Sequence, residues 1–297
     1  YLYGIGQGVL HPITQGEWEV TDFVGLRGDK VYYISTESSP LKRDLYRVGL
    51  DGKHKERLTP GDGYYSIYPS ADLSYYICEG GDSSAPGRTD VFNAAGKRVR
   101  TLYDNAPLKE ALVEAGLPVR EFFTFTTERG DELNGYMLKP LDFDPAKRYP
   151  VLLTQYSGPG SQQVAEGWGP DWEDALVTHG YIVVCVDPRG TGYRGEEFKK
   201  LTYGNLGRLE VEDQISTARY MARQSYVDPA RIGIYGWSYG GFMALGCAFR
   251  GEGLFKMAIA VAPVTSWRYY DSIYTEIYNN LPQYNASGYD DNSPITF

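Results

Sequence analysis

One short string limits the fold more than any other: Gly236-Trp237-Ser238-Tyr239-Gly240-Gly241. The run Arg231 to Tyr235 leads into it, and a small-residue, helix-prone segment (FMALGCAF) leaves it. Strand, sharp turn and helix in that order are the setting of a nucleophile elbow. Such a turn holds its serine in a strained backbone. Glycines are expected at Gly236 and Gly240, because a Cβ at either place would clash as strand and helix close on each other. Ser238 is the candidate nucleophile.

The elbow does not stand alone. Val151 to Leu153, the run YIVVCVD ending at Asp187, and KMAIAVA read as further buried strands. DWEDALVTHG reads as a helix stopped by Gly180. In EVEDQISTARYMAR, apolar Val211, Ile215, Ala218 and Ala222 fall on one helical face. REFFTFTTE and ELNGYMLKP read as a hairpin across Arg129-Gly130-Asp131. Buried strands alternating with helices predict a mostly parallel, doubly wound sheet with its chemistry at the carboxyl ends of strands.

The first third of the chain follows a different rule. Ile13-Thr14 matches Leu58-Thr59, Tyr33 matches Tyr76, and the turn Asp51-Gly52 matches Ala95-Gly96, at spacings of 43 to 45 residues. Leu2 to Gly8 is a partial third copy. Short alternating strands at that period predict β-propeller blades. The pattern opens on what reads as the last strand of a blade, and about two full blades follow. Propellers need about four to eight, so the sequence reads as a piece of a longer protein. The period ends near Asn105 to Pro118, which sets expected domains at 1–113 and 114–297.

Composition excludes some classes. A net charge of −9 argues against a nucleic-acid partner. No apolar run approaches the roughly 20 residues of a membrane span. Cys78, Cys185 and Cys247 make no disulfide framework, and there is no Cys/His cluster for a metal, so neither metal nor cofactor is expected. The 27 tyrosines suit strands or aromatic-lined pockets.

An acyl-transfer serine also needs an oxyanion hole, a base and an orienting carboxylate. One oxyanion donor is the backbone N–H after the nucleophile, here Tyr239. Tyr156, after VLLTQ, is either the second donor or an ordinary tyrosine at a strand end. The base should follow Ser238, yet His11, His54 and His179 all precede it. His11 and His54 read as blade-loop residues and His179 as a surface helix end. The base and its carboxylate are therefore expected beyond Phe297, and the chain alone is expected to be close to inactive. The run APVTSWRYYDSIYTEIY reads as a loop over the serine, with Trp267, Tyr270 and Tyr274 as an apolar pocket, or else as core or oligomer surface.

GWSYGG, YSGPGSQ, DPRGTGYRG, NLGRLEVEDQ and FKMAIAVAPVTSWRYYDSIYTE, with the repeats before them, resemble the dipeptidyl peptidase IV branch of the prolyl oligopeptidase family. The resemblance implies a propeller on an α/β-hydrolase domain, and a serine peptidase that removes X-Pro or X-Ala dipeptides from N-termini. It implies Ser238 as nucleophile, Tyr156 and the Tyr239 N–H as oxyanion hole, Val264, Trp267, Tyr270 and Tyr274 as proline pocket, and Trp237 as support for the elbow. Peptides with Pro or Ala second, a homodimer and an extracytoplasmic location are further implications. The paired glutamates that would hold the substrate amine fall upstream of Tyr1. Another peptidase of the family, an esterase, or a non-catalytic binding protein are the competing readings.

Overall fold

A computed structural model describes residues 1–297. The chain divides into two compact units. The first comprises residues 1–116, 165–169 and 193–195, and the second the remainder.

The regular structure of the first unit is strand apart from one helix. Hairpin β1 (Leu2–Gly4) and β2 (Gly8–His11) comes first. An antiparallel meander follows: β3 (Val20–Arg27), β4 (Lys30–Ser35), β5 (Asp44–Gly49) and β6 (Glu56–Arg57). A second meander repeats it: β7 (Tyr64–Pro69), β8 (Tyr75–Gly81), β9 (Arg88–Asn93) and β10 (Arg98–Tyr103). These are the blades that the period predicts, and β7 starts 44 residues after β3.

The matched sequence positions recur as matched contacts. Tyr33 lies opposite Tyr46 and stacks on it at 5.7 Å, and Tyr76 lies opposite Phe92 and stacks at 5.3 Å. Ile13 packs on the first pair and Leu58 on the second. Cross-strand aromatic pairs of this kind are the units of sheet stability. The turns match too. Gly52 N–H donates to Gly49 O, and Gly96 N–H to Asn93 O. Gly52 and Gly96 adopt φ of 76° and 75°, where a side chain would be strained. The unit ends in helix α1 (Ala106–Ala115).

The second unit is built on a six-stranded sheet. Its strands are β11 (Glu121–Thr126), β12 (Glu132–Leu138), β13 (Tyr149–Thr154), β14 (Ile182–Asp187), β15 (Val227–Trp237) and β16 (Met257–Val261), in the order β11-β12-β14-β13-β15-β16. The run β14-β13-β15-β16 is parallel. The hairpin β11–β12 joins the same sheet antiparallel, so the sheet is mixed. All six residues of β14 are buried, as an apolar strand covered on both faces should be.

The helices are α2 (Glu173–Thr178), α3 (Glu196–Lys200), α4 (Leu209–Ala222), α5 (Tyr239–Arg250), α6 (Ser272–Asn279) and α7 (Ala286–Asp290). On α4 the expected face packs into the core: Val211, Ile215 and Ala218 are buried and Ala222 is partly buried against the same cluster, which Met221 also joins. Glu210, Asp213, Gln214 and Thr217 are buried as well. The helix hides more than one face, and its polar residues stay inside because each finds a partner. Arg189, for example, clamps Asp213 at 2.7 Å.

Candidate active site

The elbow is built from three adjacent pieces of chain. β15 ends at Trp237, α5 starts at Tyr239, and Ser238 stands between them at φ 58°, ψ −115°. Its own N–H donates to Val261 O at 2.9 Å, which ties the turn to β16. A Cβ on Gly236 would run into the Gly240 carbonyl, and one on Gly240 into the Gln155 carbonyl. The strand, the helix and the loop after β13 therefore meet only because both positions are glycine. The Tyr239 N–H opens α5 and has no acceptor within the helix, so it is available to a ligand.

Tyr156, Ser238, Tyr239, Val264, Trp267, Tyr270 and Tyr274 line one small cleft. Its empty volume, including the part open to solvent, is about 170 Å³. Trp267 belongs to a single 3-10 turn (Trp267–Tyr269) and is 1% exposed. It stacks on Tyr274 at 6.1 Å and meets Tyr270 edge-on at 5.9 Å. Asp271 caps α6 by accepting from the Tyr274 N–H at 2.8 Å, which fixes the helix that carries Tyr274. The result is an aromatic slot suited to a compact apolar ring.

Tyr156 follows β13 directly. Burial raises its pKa, with nearby Tyr270 and Tyr278 adding to the rise, so the phenol stays protonated and able to donate at neutral pH. The neighbouring Tyr274 hydroxyl partly opposes that rise.

Behind the cleft lies a buried acid that the sequence reading passed over. Glu210 is fully buried on the first turn of α4. It accepts from the Tyr239 hydroxyl at 2.6 Å and from the Gly207 N–H at 3.0 Å. Burial pushes its pKa up to about 7 against those donors. Gln155, Ser157 and Gln214 were passed over too. The one sequence sign was a glutamine closing an apolar strand in VLLTQY.

Other expected residues stand apart from the cleft. Trp237 is 61% exposed and pairs through its backbone with Val261, which ties the end of β15 to β16. His11 is the last residue of β2 rather than a loop residue. His54 lies in an exposed turn. His179 is exposed at the end of α2, with Nδ1 on the Ala175 carbonyl at 2.8 Å. None of the three is hydrogen-bonded to Ser238. Cys78, Cys185 and Cys247 are free and buried, and no cluster of His, Cys, Asp and Glu could hold a metal.

Comparison with known proteins places both units. Residues 168–297 match the model described as the prolyl oligopeptidase family. Residues 1–86 match the dipeptidyl peptidase IV N-terminal region. The chain is 42% identical over 290 residues to dipeptidyl-aminopeptidase B of Aspergillus niger, covering 95% of this chain and 32% of that protein. It is 41% identical over 291 residues to a protein of Emericella nidulans named "Probable dipeptidyl-aminopeptidase B", again covering 95% and 32%. The crystal structure of Porphyromonas gingivalis dipeptidyl peptidase 4 superposes with a TM-score of 0.93 at 45% identity, over 97% of this chain and 41% of that one. The chain thus spans about a third of the length of the curated relatives it matches. It belongs to the prolyl oligopeptidase family, in its dipeptidyl peptidase IV-like branch.

Proposed function

We propose that the protein is a serine peptidase that releases X-Pro or X-Ala dipeptides from peptide N-termini through an acyl-enzyme. The observation that carries this reading is the single cleft in which Ser238, both oxyanion donors and the aromatic slot meet. In this mechanism the proline-like ring enters beside Val264, Trp267, Tyr270 and Tyr274. Ser238 Oγ attacks the carbonyl carbon that follows, and its proton passes to a base. The oxyanion accepts from the Tyr156 phenol and the Tyr239 N–H. Collapse breaks the C–N bond, the base returns the proton to the leaving amine, and water then hydrolyses the ester on Ser238.

None of the three histidines of this sequence is assigned as the base. The reading puts it, its carboxylate partner and the glutamates for the substrate amine in the part of the relatives' length that this chain does not span. The same reading carries a homodimer and an extracytoplasmic location. Light scattering and cell fractionation test these, and a monomer or a cytoplasmic protein would remove them.

The central test uses the protein at its natural length. Gly-Pro chromogenic substrate should be turned over in preference to its N-blocked counterpart. Ser238→Ala should reduce kcat by on the order of 10⁶. Preference for the blocked substrate would point to an endo-acting oligopeptidase, and activity that survives Ser238→Ala would end the serine mechanism.

A further inference from the structure

The two oxyanion donors come from different elements: Tyr156 from the loop after β13, and the Tyr239 N–H from the start of α5. Something must fix their separation, because a misplacement of about 1 Å can cost on the order of 10² in rate. Tyr156 is flanked by two polar residues that are almost fully buried, Gln155 at 3% and Ser157 at 2% exposed. Gln155 Nε2 donates to the Gly240 carbonyl at 2.8 Å, one residue past the Tyr239 N–H, and reaches Tyr235 O at 3.3 Å. The Ser157 hydroxyl donates to Gln155 Oε1 at 2.9 Å. From α4, Gln214 Nε2 donates to Ser157 Oγ at 3.2 Å and to Val186 O at 2.9 Å. Ser157 has φ 65°, a conformation that a serine keeps only when its surroundings impose it.

We propose that Gln155, Ser157 and Gln214 are a buried positioning network that holds the Tyr156 loop and the first turn of α5 at the separation the oxyanion requires. This rests on the peptidase reading above. The network touches no substrate. It acts through Tyr156 and Tyr239, and the buried Gln155 amide, bonded at both its Nε2 and its Oε1, permits one arrangement of loop and helix where an apolar side chain would permit several.

A double-mutant cycle in the natural-length protein tests it, with Gly-Pro chromogenic substrate and fluorophosphonate labelling of Ser238 as readouts. Gln155→Leu should lower kcat about 10- to 100-fold and slow labelling in proportion, with KM changed by less than about threefold. In a Tyr156→Phe background the same substitution should cost less than about threefold, because the loop then has no phenol left to position. If Gln155→Leu does not fold, Ser157→Ala severs the same link and should show the same coupling with a loss of about three- to tenfold. An undiminished loss in the Tyr156→Phe background, or a kcat for the network variant equal to wild type, overturns the network alone. A wild-type protein that neither turns over substrate nor labels at Ser238 overturns the peptidase reading and the network with it.

Discussion

In the blades, Tyr33 on Tyr46 and Tyr76 on Phe92 do the same job twice, each with a matched glycine turn and a matched aliphatic residue, Ile13 in one and Leu58 in the other. In the second unit the buried polar contacts are individual ones. Glu210 meets Tyr239, Arg189 meets Asp213, and Gln214 meets Ser157, each once and each buried. What repeats in the blades is stacked rings and backbone turns, beside a buried polar group of their own at Asp44, which accepts from the Thr59 hydroxyl and from Arg57. Around the elbow, buried polar bonds join distant elements; they fix direction as well as distance but leave costly unpaired groups when one partner is lost. Damage to a blade should therefore show as lost stability, and damage around the elbow as lost turnover.

The largest expected effect is on the blade side. Tyr76→Ala removes a ring that is 4% exposed, stacked on Phe92 and bonded through its hydroxyl to Leu58 O at 2.9 Å. It should destabilise the protein by about 3–5 kcal/mol in denaturant unfolding and leave kcat per labelled Ser238 unchanged. A fall in kcat with stability intact would reverse the comparison.

Next is Tyr156→Phe, which should give the opposite pattern. Loss of one oxyanion donor should lower kcat by roughly 10²–10³, or about 3–4 kcal/mol of barrier, with no measurable change in unfolding. A tenfold or smaller loss would mean that Tyr156 is not a donor.

The smallest effect lies where the two modes meet, at Glu210. Its folded-state pKa of about 7 lies above the ordinary 4.5, so the folded protein holds this proton more tightly than the unfolded chain. The stability linked to it is present below the unfolded value and is lost as pH rises through about 7. That loss is on the order of 3 kcal/mol. Burial sets this rise, the Tyr239 hydroxyl and the Gly207 N–H oppose it, and the charge of Asp213 on the same helix adds to it. Glu210→Gln carries no titrating proton, so urea unfolding measured from pH 5 to pH 8 should show a flatter slope than wild type. An identical slope would show that Glu210 titrates like an exposed carboxylate.

How far the sequence reaches follows the range of each interaction. The blades were legible because turn glycines and strand alternation act over a few residues and recur, so Gly52 and Gly96 declare themselves by position. The elbow was legible because strand, serine and helix are contiguous, and the aromatic run because its residues fall within one short loop and helix. On α4 the apolar face was legible, but the burial of Met221, Glu210, Asp213 and Gln214 beside it was not, because periodicity measures apolarity, not how many neighbours a helix has.

By itself, then, the amino-acid order determined the repeating blades, the alternation of strand and helix, and the position of the elbow and its serine. Only the tertiary structure decided that Tyr156, Val264, Trp267, Tyr270 and Tyr274 share one cleft with Ser238. It alone decided that a glutamine and a serine beside Tyr156 are bonded to residues 85 and 57 positions away. The physical reason is that hydrogen bonds are directional and reach about 3 Å. Whether two distant polar side chains satisfy each other depends on how the sheet and its helices pack, which no local pattern records.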